Sequence, residues 1–217
     1  METTITIAIY IHALFGAIGL IAGTLSFVVK KGSKLHKKAG NWFAIGMLVS
    51  SGISLPVACM PDHKNQFLFL IGLFTIYMVI VGKRALRFKS IKVEVSKVDW
   101  LITGLMILIS LFMIFYGSLA YASVVFLYVY FGVVGLIVCF TDVRFLRNPR
   151  KTKTAWLVQH IGKIMGAYIA SVTAFLVAGL GIPGLAVWVL PSVVGTFSIV
   201  YWIRKTKKKK VFTLKTN

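Results

Sequence analysis

Residues 156–181 read WLVQHIGKIMGAYIASVTAFLVAGLG. A helix needs about 20 predominantly apolar residues to cross a hydrocarbon layer about 30 Å thick, and this run is long enough. Its first two turns nevertheless carry Gln159, His160 and Lys163. Small residues recur at Gly166, Ala170, Ala174 and Ala178. That spacing lays a narrow stripe along one side of a helix and predicts the close approach of another backbone. A lysine near the bilayer centre costs about 2.5 kcal/mol or more. The stretch therefore predicts an inward-facing helix with a polar site near one end.

Working outward, similar runs recur along the chain, which has 217 residues, 58% of them hydrophobic. We read seven spans: about Thr4–Val29, Trp42–Met60, Phe67–Leu86, Trp100–Tyr121, Ser123–Arg144, Trp156–Gly181 and Leu185–Ile203. Lipid offers no water to satisfy free backbone groups, and no alternating barrel-strand pattern occurs, so the spans are helices. The predicted class is all-α, a polytopic transmembrane helix bundle. Residues 1–203 form the bundle, and residues 204–217 form a basic, flexible cytoplasmic tail. No internal repeat and no soluble domain is visible.

The formal charge is +20, from 25 Lys+Arg against 5 Asp+Glu. In a soluble protein this excess would suggest nucleic acid. Here the basic residues lie between apolar runs, so topology and anionic lipid headgroups account for them, and no nucleic-acid partner is expected. Of the 25, 23 fall in the connections after spans one, three, five and seven. The other connections hold only Lys64, and Lys163 lies within a span. The positive-inside rule then puts the amino terminus outside and the carboxyl terminus in the cytoplasm. The amino-terminal METTITIAIYIH lacks a basic leader and reads as a retained first span rather than a cleaved signal. Cys59 and Cys139 are predicted near opposite faces, so no disulfide joins them, and CxxC and CxxCH patterns do not occur.

Span one carries a second polar intrusion, His12, followed by Gly16, Gly19 and Gly23 on one face. Either the glycines permit close packing and His12 closes the seam with a hydrogen bond, or His12 belongs to a site. The small stripes of spans one and six are expected to pack together. In the first cytoplasmic loop, GSKLHKKAG at 32–40, Gly32 turns the chain, Ser33 caps a short helix and His36 sits at headgroup level. Asp99 is expected to cap the fourth span, which looks aliphatic all round and lipid-facing. Asp142 ends the fifth span, with Arg144, Arg147 and Lys163 as possible partners. Pro56 is expected to kink span two, and Pro191 to bend span seven.

Helical rise sets depths. From an inner edge near Ala155, His160 is roughly 7 Å deep and Lys163 roughly 12 Å. His12 is about 18 Å from that edge, near the level of Tyr168. The expected polar track runs from His36 and Asp142 at the mouth through His160 and Gln159 to Lys163, then Tyr168 and His12. His12 and His160 could in principle ligate haem, but their depths differ by roughly 10 Å. His36, Asp142 and His160 have ligand types that suit zinc, though no HxxxH or HExxH pattern supports it.

His12 with its glycine seam, GSKLHKKAG at 32–40, QHIGKIMGAYIASVTAF at 159–175 and the Pro183, Trp188 and Pro191 region resemble a family of predicted bacterial multi-pass membrane proteins described only as a domain of unknown function. The resemblance covers most of the chain. It implies a seven-helix protein of the bacterial cytoplasmic (inner) membrane and adds weight to His12, His36 and His160. It implies no activity. Lys37 and Lys163 stand where the family pattern leads us to expect basic residues, often Arg.

The sequence thus leads us to expect a cytoplasm-facing cationic pocket between spans one, five and six. Such a pocket would bind or transport a small molecule, an ion or a lipid headgroup, with an anionic ligand preferred. A membrane redox or metal-dependent enzyme using haem, quinone or a metal at the histidines is the alternative class. A structural or assembly factor is a third.

Overall fold

A computed structural model describes the backbone of residues 2–119 and 122–215, with side chains of residues 2–119 and 125–207. The connection at Leu119–Ala122 and the end of the basic tail therefore lie partly outside the described residues. The elements are α1 (Glu2–Val28), α2 (Lys34–Val57), α3 (Gln66–Ala85), a 3-10 turn (Leu86–Lys89), α4 (Lys97–Leu119), α5 (Ala122–Arg147), α6 (Ala155–Ala174), a π turn (Phe175–Gly179) and α7 (Leu185–Lys215). Among the described residues no strand occurs, and seven helices are long and apolar enough to cross a membrane. These features define a multi-pass helical membrane protein.

The helix ends follow local chemistry. Lys31 folds back on α1 and donates to the carbonyls of Ser26 (2.9 Å) and Phe27. Both belong to the last turn, whose carbonyls have no partner within the helix. The contact partly buries the Lys31 ammonium, and desolvation lowers its pKa. Gly32 then takes a φ of +81°, which only glycine adopts without strain, and Ser33 Oγ accepts from the His36 amide as the α2 N-cap. Gly32 thus turns the chain and Ser33 caps a helix as expected, but that helix is not a separate short one: it continues as α2, which starts at Lys34 and not at Trp42. Pro56 lies in the last turn of α2, which stops at Val57.

The chain divides into two compact units, residues 1–79 with 167–192 and residues 80–166 with 193–217. In the first unit the α1 glycine seam meets α2. A Cβ on Gly46 would fall 2.7 Å from the Phe15 carbonyl oxygen and 2.9 Å from Gly19 Cα, so these two backbones touch. Gly16 faces Ser50, and Gly19 faces Met47. Only Gly23 faces α6, where Tyr168 and Phe43 crowd it. The expected seam between spans one and six is therefore largely a seam between spans one and two. Lipid is as apolar as leucine, so close backbone contact, not exclusion of water, holds such helices together.

In the second unit α4 packs on α5. Asp99, Thr103, Met106, Ser110, Met113 and Gly117 are buried at alternating steps of four and three, which is one helix face. Span four is therefore not lipid-facing all round. Ser110 Oγ sits over Gly135, and it has no hydrogen-bond partner although it is fully buried.

In α6 the fully buried positions include Gln159, Lys163, Ala167, Ala170 and Ser171, whereas Ala178 is exposed. The buried face is thus offset from the stripe expected through Gly166, Ala170, Ala174 and Ala178. After Ala174 the helix widens: the Leu180 amide donates to the Phe175 carbonyl at 2.9 Å, a five-residue step. The extra residue per turn rotates the later part of the helix away from the earlier register. Gly181 and Gly184, with φ of +65° and +104°, then turn the chain around Pro183 into α7. Pro191 lies inside α7, and α7 continues as helix through the basic segment to Lys215.

Candidate functional site

The charged centre of the second unit forms where α5 and α6 face one another. Asp142 lies about one and a half turns before the end of α5, and Lys163 lies about two turns into α6. Lys163 Nζ is 2.7 Å from Asp142 Oδ1, with side-chain exposures of 3% and 2%. Lys163 also donates to the Val138 carbonyl (2.9 Å) and to Thr141 Oγ1 (3.0 Å), which satisfies all three ammonium protons. One turn before Lys163, Gln159 Nε2 donates to Asp142 Oδ1 and to the Thr141 carbonyl, each at 3.0 Å. Of the partners considered for Asp142, the structure selects Lys163, while Arg144 stacks on Phe140 at 5.6 Å. The depth estimate set Asp142 and Lys163 well apart, yet they touch. The flexible four-carbon stem of lysine bridges the difference in level.

His160 points to the other side of α6. Its Nδ1 lies 2.9 Å from the carbonyl oxygen of Gly82, one of the last four of α3. Gly82 is also a contact point: a Cβ there would fall 2.9 Å from Ile164 Cγ1 and 3.0 Å from Lys163 Cβ. The glycine lets α6 come near enough for the histidine to reach the α3 backbone.

A second charged group, missed from sequence, gathers at the start of α4. Ser96 and Asp99 form a capping box: the Ser96 amide donates to Asp99 Oδ2 (2.9 Å), and the Asp99 amide donates to Ser96 Oγ (3.4 Å). The expectation that Asp99 caps span four is met in this reciprocal form. Asp99 in addition takes Arg84 Nε at 2.7 Å and Arg87 at 3.3 Å. The Ser-x-x-Asp spacing at 96–99 was a readable signal for the box. The arginines come from α3 and the 3-10 turn, and no local pattern pairs them with Asp99.

A cavity of about 20 Å³ lies between these two charged groups. Arg84, Asp99, Thr103, Asp142 and Gln159 supply its polar lining, and Phe88 and Phe145 belong to its apolar part. Its walls come from α3, the 3-10 turn, α4, α5 and α6, not from spans one, five and six as expected.

The remaining candidates lie in the first unit, each with its own partner. His12 Nδ1 is 2.8 Å from the Ser50 carbonyl and 3.0 Å from Ser50 Oγ, which itself donates to the His12 carbonyl. This is the hydrogen-bonded closure of the glycine seam. His36 Nδ1 lies 3.1 Å from both Ser26 Oγ and the Ser26 carbonyl. Tyr168 OH pairs with Thr24 Oγ1 at 2.6 Å, and its ring packs on Phe27 and Phe43. Tyr168 therefore belongs to a contact with α1 at Thr24, not at His12. Among the described residues, no three His, Cys, Asp or Glu side chains gather as a metal-ligand set, so His36, Asp142 and His160 do not form one.

Of the sequence-derived candidates, the structure brings together Asp142, Gln159 and Lys163. His12, His36, His160 and Tyr168 each tie one helix to another. No protein-family model, curated protein or solved structure matches the chain.

Proposed function

We propose that the chain is an integral protein of the bacterial cytoplasmic membrane that binds or transports a small ion at a cytoplasm-facing site around Asp142 and Lys163. The amino terminus lies outside, and the carboxyl terminus lies in the cytoplasm among anionic lipid headgroups. One observation carries the reading: an ion pair buried within membrane-spanning helices borders a cavity sized for a water molecule or a monatomic ion. Ionisable residues inside spans are expensive and tend to mark ion or substrate pathways. Arg84, Asp99 and Asp142 line the cavity, and Arg87 and Lys163 pair with its two carboxylates, so the paired groups together carry one excess positive charge that a small anion or a proton exchange would offset. The volume argues against larger ligands. The resemblance to bacterial multi-pass proteins and the charge bias of the connections support the membrane and the orientation.

The test is ion movement in vesicles holding the full chain, loaded with a pH-reporting dye in one preparation and a chloride-reporting dye in another. Wild-type protein should relax one of the two imposed gradients faster than protein-free vesicles, and Asp142→Asn and Lys163→Met should abolish the effect. Equal relaxation by wild type and both folded variants would overturn the reading.

A structural role is favoured by a different observation: each of His12, His36, His160 and Tyr168 is hydrogen-bonded to a neighbouring helix. Loss of stability in His160→Ala, with ion movement unchanged per folded molecule, would assign His160 to that role.

A further inference from the structure

We propose that the cavity is a hydration site, and that a water molecule held between the Arg84–Asp99 pair and the Asp142–Gln159 group delivers protons to Asp142. This rests on the ion-handling reading above and narrows the ion to a proton.

Size and chemistry both point to water. A site needs about 10–15 Å³ of water-occupiable volume and two to four polar partners to hold one. This cavity offers about 20 Å³, with the side chains of Arg84, Asp99, Thr103, Asp142 and Gln159 in its lining. Cavities that stay dry are apolar on every side. Here, on a surface that is otherwise mostly apolar, Arg84 and Asp99 of one ionised pair and Asp142 of the other line the same space, and a bridging water lowers the cost of keeping these groups from bulk solvent.

The charged groups also form a graded series of exposure. Arg87 is 40% exposed, Arg84 24% and Asp99 6%. Asp142 and Lys163 follow at 2% and 3%. The cavity closes the one gap in this series, between Asp99 and Asp142. Lys163 and Gln159 from α6 contact the Asp142 carboxylate, Arg84 from α3 and Asp99 from α4 line the same cavity, and Cys139 on α5 lies near Lys163.

The transfer itself is simple. A hydronium ion from bulk solvent first gives a proton to the Asp99 carboxylate. The Asp99 acid then passes it to the cavity water, which in the same step gives one of its own protons to the Asp142 carboxylate, the electron pair of the broken O–H bond staying on the water oxygen. Asp142 becomes a neutral acid and the water is regenerated. Lys163 stays an ammonium and still donates to the Val138 carbonyl and Thr141 Oγ1. Protonation of Asp142 thus weakens the ion pair without leaving a bare cation in the span.

Two measurements on the full chain in vesicles test this. In the first, hydroxyl radicals are generated from bound water by a brief X-ray pulse, and modified residues are read by mass spectrometry. Phe88 should take label despite being buried, whereas Met113, intrinsically more reactive and fully buried away from the cavity, should not. An unlabelled Phe88 would show a dry cavity and overturn the proposal. In the second, infrared spectra at acid pH follow the protonated-carboxyl band that is lost in Asp142→Asn. Its shift on transfer to deuterated buffer should be about tenfold slower in Ala85→Val, which fills the cavity from α3. An unchanged exchange rate in folded Ala85→Val, or no band attributable to Asp142, would also overturn it. Chloride movement that needs Asp142 and Lys163, seen alongside a dry cavity, would leave the ion-handling reading standing and remove only the proton route.

Discussion

Lys163 and Asp142 meet at 2.7 Å with almost no exposure, and each is the other's charged partner inside a run of helices long and apolar enough to cross a membrane. Breaking a buried pair from one side strands a charge and typically costs about 3–5 kcal/mol, whereas replacing both partners with apolar groups can be near neutral. Lys163→Met and Asp142→Leu should each lower the unfolding midpoint in detergent sharply, and the double variant should recover most of the loss. Additive losses in the double variant would mean that the pair does not act as a unit.

Asp99 is tied both to its own helix start and to Arg84. Ser96→Ala removes the hydroxyl's bonds to the Asp99 amide, the Asp99 carboxylate and Arg84 but leaves the Arg84–Asp99 ion pair, and should cost about 1 kcal/mol. Asp99→Ala removes the box and leaves Arg84 without its carboxylate, so it should cost clearly more. Thermal unfolding of the two variants side by side checks the order, and Ser96→Ala as the worse of the two would contradict the geometry.

Gly46 and Gly52 lie on the same helix and should respond oppositely to alanine. A Cβ at Gly46 meets backbone atoms of Phe15 and Gly19, which cannot rotate away, so the two helices must separate. Overpacking of this kind costs about 1–3 kcal/mol. A Cβ at Gly52 meets nothing within 4 Å, so Gly52→Ala should gain about 0.5–1 kcal/mol from helix propensity. The sign of the difference in midpoint is the readout.

Ser110 hides a hydroxyl that finds no hydrogen bond, a state that costs about 1–3 kcal/mol where the group is fully desolvated. Ser110→Ala should therefore raise stability. A drop in midpoint would show that the hydroxyl contributes packing over Gly135 that outweighs its lost hydrogen bond.

Orientation can be read from the two free cysteines, because Cys59 is exposed and Cys139 is buried. A membrane-impermeant maleimide added to intact cells should modify Cys59 before the membrane is opened. Modification of Cys59 only after permeabilisation would invert the proposed topology.

The helices were legible because their signal is long: twenty apolar residues leave little doubt about what a segment can do. Their ends were less so. The basic stretch at 34–40 reads as a short helix apart from span two because a hydropathy reading stops at the lysines, but the helix capped by Ser33 continues through them into the span. The charged centre was half legible. Asp142, Gln159 and Lys163 stood out because polar residues are conspicuous in apolar runs. Which helix each would face was not, since one sequence carries no information on neighbours in space. Arg84 was hidden by abundance, as one basic residue among many in a connection whose overall charge already had an explanation. In α4 the alternation of Thr103, Ser110 and Gly117 among bulkier residues did carry the buried face, but it is faint beside the aliphatic background.

The widened turn at Phe175–Gly179 has an evolutionary consequence. Deleting one residue there would return the segment to ordinary helical pitch and leave Gln159 through Ser171 where they are. A deletion between His160 and Ala170 would instead swing every later side chain by about 100° and take Ser171 off its seat beside Met47. Within this span, the far end of α6 is the place where a change of length leaves the buried residues in register.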